Sequence, residues 1–265
     1  MSGDEVFVMI VSGLLGVGVW LFNLVRLSQF RRHGLPAAAA QGVVWAPLAG
    51  LVLVFWVLRT LASHDVREDG RYLIMYGLMG AAWLMVAPAW FLPGISVRDD
   101  FLERRNASAA YAVLGFMLAS ALCFAGGNIG DGPGWWVVVF CAALATLTMA
   151  GLWAAASGLT GLADRITIDR DPAIGLRVAG FFVGCGLILG RAVAGDWESF
   201  GATLRDFAGK AWPVLILLAG LIAMERMTGP RFKPEQIALM TRGVLPALFY
   251  VAAGLIAVMA QGAIE

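Results

Sequence analysis

Eight apolar stretches, each about long enough to cross a bilayer as a helix, follow one another along the chain with only short polar joints between them. They fall at about 5–25, 42–61, 72–92, 108–126, 135–157, 173–194, 211–227 and 238–260. A hydrocarbon core of roughly 30 Å takes roughly 20 helical residues. None of the runs alternates apolar and polar residues as a membrane barrel strand does. The expected fold is therefore an all-α polytopic membrane bundle of about eight transmembrane helices. The third span carries Pro88 and Pro93 and is expected to kink or break near its end. The seventh is the shortest and is expected to begin earlier, near Phe207.

Composition sharpens this reading by exclusion. Charged residues make up 14% of the chain and hydrophobic ones 60%, whereas a soluble domain carries about 25% charge. A net charge of +1 argues against a nucleic-acid partner. Cys123, Cys141 and Cys185 all sit inside apolar runs, at spacings that fit no zinc motif, and read as small hydrophobes. His33 and His64 lie in loops expected on opposite sides, so they are not expected to share a haem or a metal. No cofactor is expected. Asp4 and Glu5 stand where a cleavable leader would carry Lys or Arg, so the first stretch is expected to remain as a membrane helix.

The positive charges set an orientation. Thirteen of the 19 Lys and Arg residues fall in one set of alternating loops, clustered at 26–32, 98–105, 165–177 and 226–242, and six in the other. The richer set is expected in the cytoplasm, which puts both termini on the outer side. Loop 59–71, with Arg59, Arg67 and Arg71, runs against this bias.

The stretch GGNIGDGPGWW, Gly126 to Trp136, could be a phosphate-cradling loop or a turn between two membrane helices. A phosphate loop follows a strand and usually carries Lys; this one has no preceding strand and no Lys or Arg. The glycines and Pro133 suit a tight turn. Trp135 and Trp136 suit interface anchors at the head of the next helix. Asn128 and Asp131 keep a ligand reading open as a candidate polar site on the outer face.

An internal repeat appears when the chain is shifted by 65 residues. RNASAAYAVLGFMLASALCFAGG, from Arg105, aligns with RDPAIGLRVAGFFVGCGLILGRA, from Arg170. Val113 meets Val178, Gly115-Phe116 meets Gly180-Phe181, and Leu122 meets Leu187. Both copies are expected to start and return on the same side, which makes them parallel repeats. The chain then divides into a three-helix region (1–104), a first repeat (105–168), a second repeat (169–233) and a last span (234–265). The charged lead-in, the Gly-Phe helix with small residues, the Gly-rich turn and the second helix, in tandem, resemble the bacterial domain-of-unknown-function 350 family over about 105–233. That resemblance implies a bacterial inner-membrane protein built of paired two-helix units, sometimes linked with envelope stress. It brings no catalytic residues and no settled activity.

Several residues invite a closer reading. Gly180, Gly184, Gly186 and Gly190 place small residues one turn apart, the pattern that lets membrane helices pack closely. Ser12, Gly13, Gly16 and Gly18 do the same in the first span. The bland reading is packing within the bundle; the sharper one is an oligomer interface. Arg177 and Arg191 lie near the two ends of one span, roughly 21 Å apart and within about 40° of one face. They are candidate lipid or pore-mouth charges. Snorkelling to the headgroups is the expected state of both, with Arg191 near Asp196 or Glu198 and Arg177 near Asp169 or Asp171. On that reading, replacing both by Gln leaves folding intact. The joint 94–108 is expected to be a plain solvated connector; the alternatives are an amphipathic interfacial turn with Phe101 and Leu102 on the membrane side, or a partner-docking site.

No Asp, Glu, Lys or His lies near the middle of any span, and intramembrane relays are built from such groups. The expected function is non-enzymatic. It is a scaffold or subunit of a larger envelope complex, with membrane lipids and protein partners or further copies of itself around it. The alternative is a channel or passive facilitator for a small ion or solute, with Arg177, Arg191, Asn128 and the helix threonines along its path.

Overall fold

In the computed structural model the described residues are 1–31, 37–228 and 239–262. The described residues are mostly helical and form no strand. Eleven α-helices are described: α1 (Gly3–Arg31), α2 (Ala37–Thr60), α3 (His64–Glu68), α4 (Gly70–Phe91), α5 (Ala107–Gly126), α6 (Trp135–Thr160), α7 (Leu162–Thr167), α8 (Pro172–Ala192), α9 (Phe200–Ala211), α10 (Pro213–Thr228) and α11 (Leu245–Ala260). Single π-helical turns, Val97–Glu103 and Met240–Val244, lead towards α5 and into α11.

Six of these helices, α11 together with its π turn, are long and apolar enough to cross a membrane, and a seventh span appears if α9 and α10 count as one. All eight expected spans fall on helices; among the described residues the second and the seventh do not pass that measure as single helices. Pro213 is the reason at the seventh: α9 and α10 meet at an angle of 44°, because a proline cannot continue the hydrogen bonds of the preceding turn. In α2 the described apolar segment is short, Trp45–Thr60. The expected break in the third span falls at Phe91, two residues before Pro93.

Four helices, α2, α5, α8 and α11, run in one direction side by side. The contacts climb in step: Gly42 lies on Leu114 and Gly50 on Ala121, while Gly243 lies on Ala173 and Gly180 on Ala247. The pair α5–α8 is the tightest. A Cβ added at Gly175 would come 2.2 Å from Ser108 O, one at Gly115 would come 2.4 Å from Ala179 Cα, and one at Gly126 would come 2.1 Å from Gly190 O. Backbone meets backbone along the whole length of both helices. Lipid supplies no hydrophobic drive for helices to associate, so this close van der Waals contact is what holds them.

The predicted packing glycines of α8 divide between two neighbours. Gly180 and Gly184 face α11, where a Cβ would meet Ala247 Cα at 2.3 Å and Tyr250 O at 2.4 Å. Gly186 and Gly190 face α5, at 2.7 Å from Ala119 Cα and 2.5 Å from Leu122 O. All four work inside the chain. Gly16 in α1 does likewise against Ala82 N of α4, at 2.8 Å.

The 65-residue shift is visible in the backbone. Arg105 and Arg170 are the two non-glycine residues with positive φ among those described, at 52° and 55°. Each precedes an N-cap, Asn106 for α5 and Asp171 for α8, whose side chain accepts from the first turn's amides. A left-handed arginine costs about 1–2 kcal/mol, so the same turn twice marks the same chain geometry at both places.

The loops gather at two ends of the bundle. Loops 127–134 and 193–199 meet at one, with the start of α1 and the end of α11: Trp135 Nε1 donates to Asp4 Oδ2 at 3.3 Å and Arg191 Nη2 to Gly262 O at 3.3 Å. We call this the Gly-rich end. The π turns, α7 and the charged residues around them form the Arg-rich end. There Phe101 and Leu102 are buried within the protein rather than facing the membrane. The turn at Val97–Glu103 tucks them inward, and Asp100 secures it by accepting from Ser96 N at 2.8 Å and Arg104 Nη1 at 3.1 Å.

Candidate functional site

At the Arg-rich end, three helical segments and one helix start bring their charges to one point. Arg177 lies in the second turn of α8, Glu225 in the last turns of α10, Arg165 in α7, and Arg242 in the π turn before α11. Glu225 accepts from Arg177 Nη2 on one carboxylate oxygen and from Arg165 Nη1 on the other. Arg177 Nη1 donates to the backbone carbonyl of Arg242. Arg242 Nη2 stands 3.7 Å from Asp171 Oδ2. The other oxygen of Asp171 accepts from Ala173 N at 2.9 Å and so caps α8.

The side chains of Arg177 and Glu225 are both wholly buried, and Arg165 keeps 16% of its exposure. Arg177 is therefore neither a snorkelling charge nor a pore-mouth charge. Its expected partners, Asp169 and Asp171, are not the ones it has. The physical reason is Glu225. A carboxylate in the last turns of a helix sits at the negative end of the macrodipole, and burial adds a desolvation cost. Two guanidiniums meet both terms. A charge this well paired costs less where it is than reaching for water.

Glu225 is the residue that sequence reasoning missed. It lies inside the expected seventh span, within LLAGLIAMER, but close to its end. Its signal was an acid in an apolar run with no acid-to-base partner at helical spacing upstream. The arginines that answer it lie 48 and 60 residues away.

Arg191, at the other end of α8, is half-buried and meets Gly262 O rather than Asp196 or Glu198. The helix hydroxyls are used internally. Ser120 and Thr148 donate to carbonyls four residues back, Phe116 O and Leu144 O, both at 2.8 Å. Thr146 Oγ1 accepts from Trp83 Nε1 at 3.2 Å. His33 lies outside the described residues. Among the described residues no group of three His, Cys, Asp or Glu is placed to hold a metal ion.

At the Gly-rich end the two turns related by the 65-residue shift lock onto each other. Asp131 N donates to Asp196 Oδ1 at 2.7 Å, Trp197 N to Asp131 O at 2.8 Å, and Gly195 N to Ile129 O at 3.0 Å. Gly130, at φ 102°, has no room for a side chain: a Cβ would lie 2.4 Å from Gly195 C. Between these turns, the start of α6 and α9 lies a cavity of about 360 Å³. Asn128 and Asp131, the candidate polar site, both line it. Asn128 is buried and its Nδ2 donates to Phe124 O at 2.7 Å. Trp135 and Trp136 open α6 beside it. Trp136 packs edge-on against Trp197, ring centres 5.2 Å apart, and both join Phe140 and Phe200 in one aromatic cluster.

No protein-family model, no curated protein and no solved structure matches the chain.

Proposed function

We propose that the protein is a non-enzymatic scaffold or subunit of a larger complex in a bacterial inner membrane. One observation carries this reading: the parallel row α2–α5–α8–α11 is closed by glycine-to-backbone contacts along α5–α8 and α8–α11. The side chains expected along a conducting path are spent inside the protein. Arg177 is bound to Glu225, Arg191 to Gly262 O, Asn128 Nδ2 to Phe124 O, and Thr148 to its own helix. A rigid apolar body that presents α1 and α11 outward suits assembly better than passage, because it offers packing surface and its buried acid Glu225 is already paired. The orientation proposed with it puts the Arg-rich end in the cytoplasm and both termini in the periplasm. The resemblance to the domain-of-unknown-function 350 family fits this reading.

Gentle extraction of the tagged chain from its own membrane, followed by native mass spectrometry, tests it. The expected result is a complex with other chains at fixed ratio. Recovery of the chain alone, or only as copies of itself, would overturn the subunit reading.

The second reading is a passive facilitator for a small ion or solute. The cavity at the Gly-rich end favours it, since a polar vestibule is what such a protein needs at one mouth.

A further inference from the structure

The cavity at the Gly-rich end has features that ordinary loop surface lacks. Two polar side chains line it, one from α4 and one from the first turn. Tyr76 of α4 is 7% exposed and Asn128 is 6% exposed. Among the described residues the Tyr76 hydroxyl and Asn128 Oδ1 make no hydrogen bond, Asn128 using only its Nδ2, and both residues line the cavity. Both residues are mostly buried, yet neither oxygen is sealed off among the described residues, so each can receive a donor brought into the cavity.

The rim supplies a charge preference. Asp131, Asp196, Glu198 and Asp206 line the cavity, against Lys210 as its one cation. Trp197 forms part of the wall and is held by the edge-on aromatic cluster. The walls are preorganised by the three hydrogen bonds between the two turns, so little ordering remains to oppose binding. The volume of about 360 Å³ lies within the roughly 300–1,000 Å³ typical of small-molecule sites.

We infer that this cavity is a binding site for a small organic ammonium ion, a primary amine or diamine. The ligand's N–H groups would be received by Tyr76 Oη and Asn128 Oδ1 and by the carboxylates at the rim. An ammonium is a donor only, and these oxygens are acceptors. Trp197 provides an aromatic face of the kind that attracts organic cations. A bare divalent ion is disfavoured because the acids do not converge: no three of the described carboxylates are placed to hold one metal. This site does not depend on the subunit reading, and either can fail alone.

The test uses the full chain in detergent, titrated with 1,4-diaminobutane by calorimetry, with succinate as an anion of the same length. The expected result is saturable binding of the diamine and none of succinate. Tyr76→Phe with Asn128→Leu weakens it at least tenfold, and Asp131→Asn weakens it several-fold. Tyr76→Phe alone removes an oxygen that bonds nothing among the described residues. It should therefore leave the melting temperature without ligand unchanged or raised, while reducing the gain on adding diamine. That pairing separates loss of a site from loss of the fold. Absence of saturable diamine binding, preference for succinate, or equal affinity in Tyr76→Phe would overturn the inference.

Discussion

The two ends of the bundle solve the problem of burying polar groups in opposite ways. At the Arg-rich end, side chains do the work. Three arginines, two acids and one backbone carbonyl meet there, with Arg177 and Glu225 wholly buried. At the Gly-rich end, the backbone does it. Two glycine turns exchange amide hydrogen bonds and leave a polar cavity open between them. The first arrangement is brittle, because each charge depends on the others. The second is tolerant of single losses at its rim but intolerant of bulk at its turns. Charges that are dry hold helices in place, and polar groups that stay wet remain free to meet a ligand.

The largest expected effect comes from breaking the dry end. Glu225→Gln leaves the buried guanidinium of Arg177 and the half-buried one of Arg165 without their counter-charge. Removing one partner of a buried pair costs about 3–5 kcal/mol, enough to cost the chain most of its folded yield in detergent, read by gel filtration. Arg177→Gln should fail in the same way, in contrast to the expectation from snorkelling. Replacing Arg165, Arg177 and Glu225 together by Met, Met and Leu should recover most of the loss, because apolar groups of similar volume need no partners. A triple variant as poor as Glu225→Gln would show that the charges do more than satisfy one another.

Next comes the seam between the ends. Gly126→Val puts a side chain where a Cβ already lies 2.1 Å from Gly190 O. Overpacking typically costs about 1–3 kcal/mol, and a backbone atom cannot swing aside, so the upper end is expected in thermal unfolding. Gly151→Val serves as the control, since nothing lies within 4 Å of its added Cβ.

Much of this architecture was legible in the chain. The apolar runs placed the helices, because a lipid solvent leaves the backbone few alternatives. The shift of 65 residues pointed to Gly115 and Gly180, and the structure finds both at backbone contacts. Asn128 and Asp131 stood out as polar residues in a turn without basic ones, and they share a cavity. Glu225 was harder to read. Its role depends on Arg177 and Arg165, which lie on other helices, and no local pattern records that they meet. The same holds for Tyr76, an ordinary aromatic in an apolar span until loop 127–134 folds over it. Pairings made through space were what the linear pattern left out, as with the bend at Pro213.

Smaller effects sharpen the wet end. Asp196→Ala removes the acceptor for Asp131 N. The loss should be about 1 kcal/mol, seen as a modest fall in melting temperature with no loss of folded yield. Asp69, the N-cap of α4, gives the smallest effect. The hydrogen-bonding Arg71 side chain, and then the Arg71 amide, hold its carboxyl below its ordinary value of 3.8. A depressed folded value means that its contribution is full above the unfolded value and is lost as pH falls through the folded one. Asp69→Asn should therefore flatten the acid limb of the stability profile below about pH 4 and leave neutral pH nearly unchanged.

The claim that decides the account is that the bundle is closed. Purified protein reconstituted into liposomes, assayed for potassium, chloride and glycerol flux, tests it directly. The account predicts rates equal to those of empty vesicles for all three. Protein-dependent flux that disappears on blocking the Gly-rich end with a bulky label would contradict it and favour the facilitator.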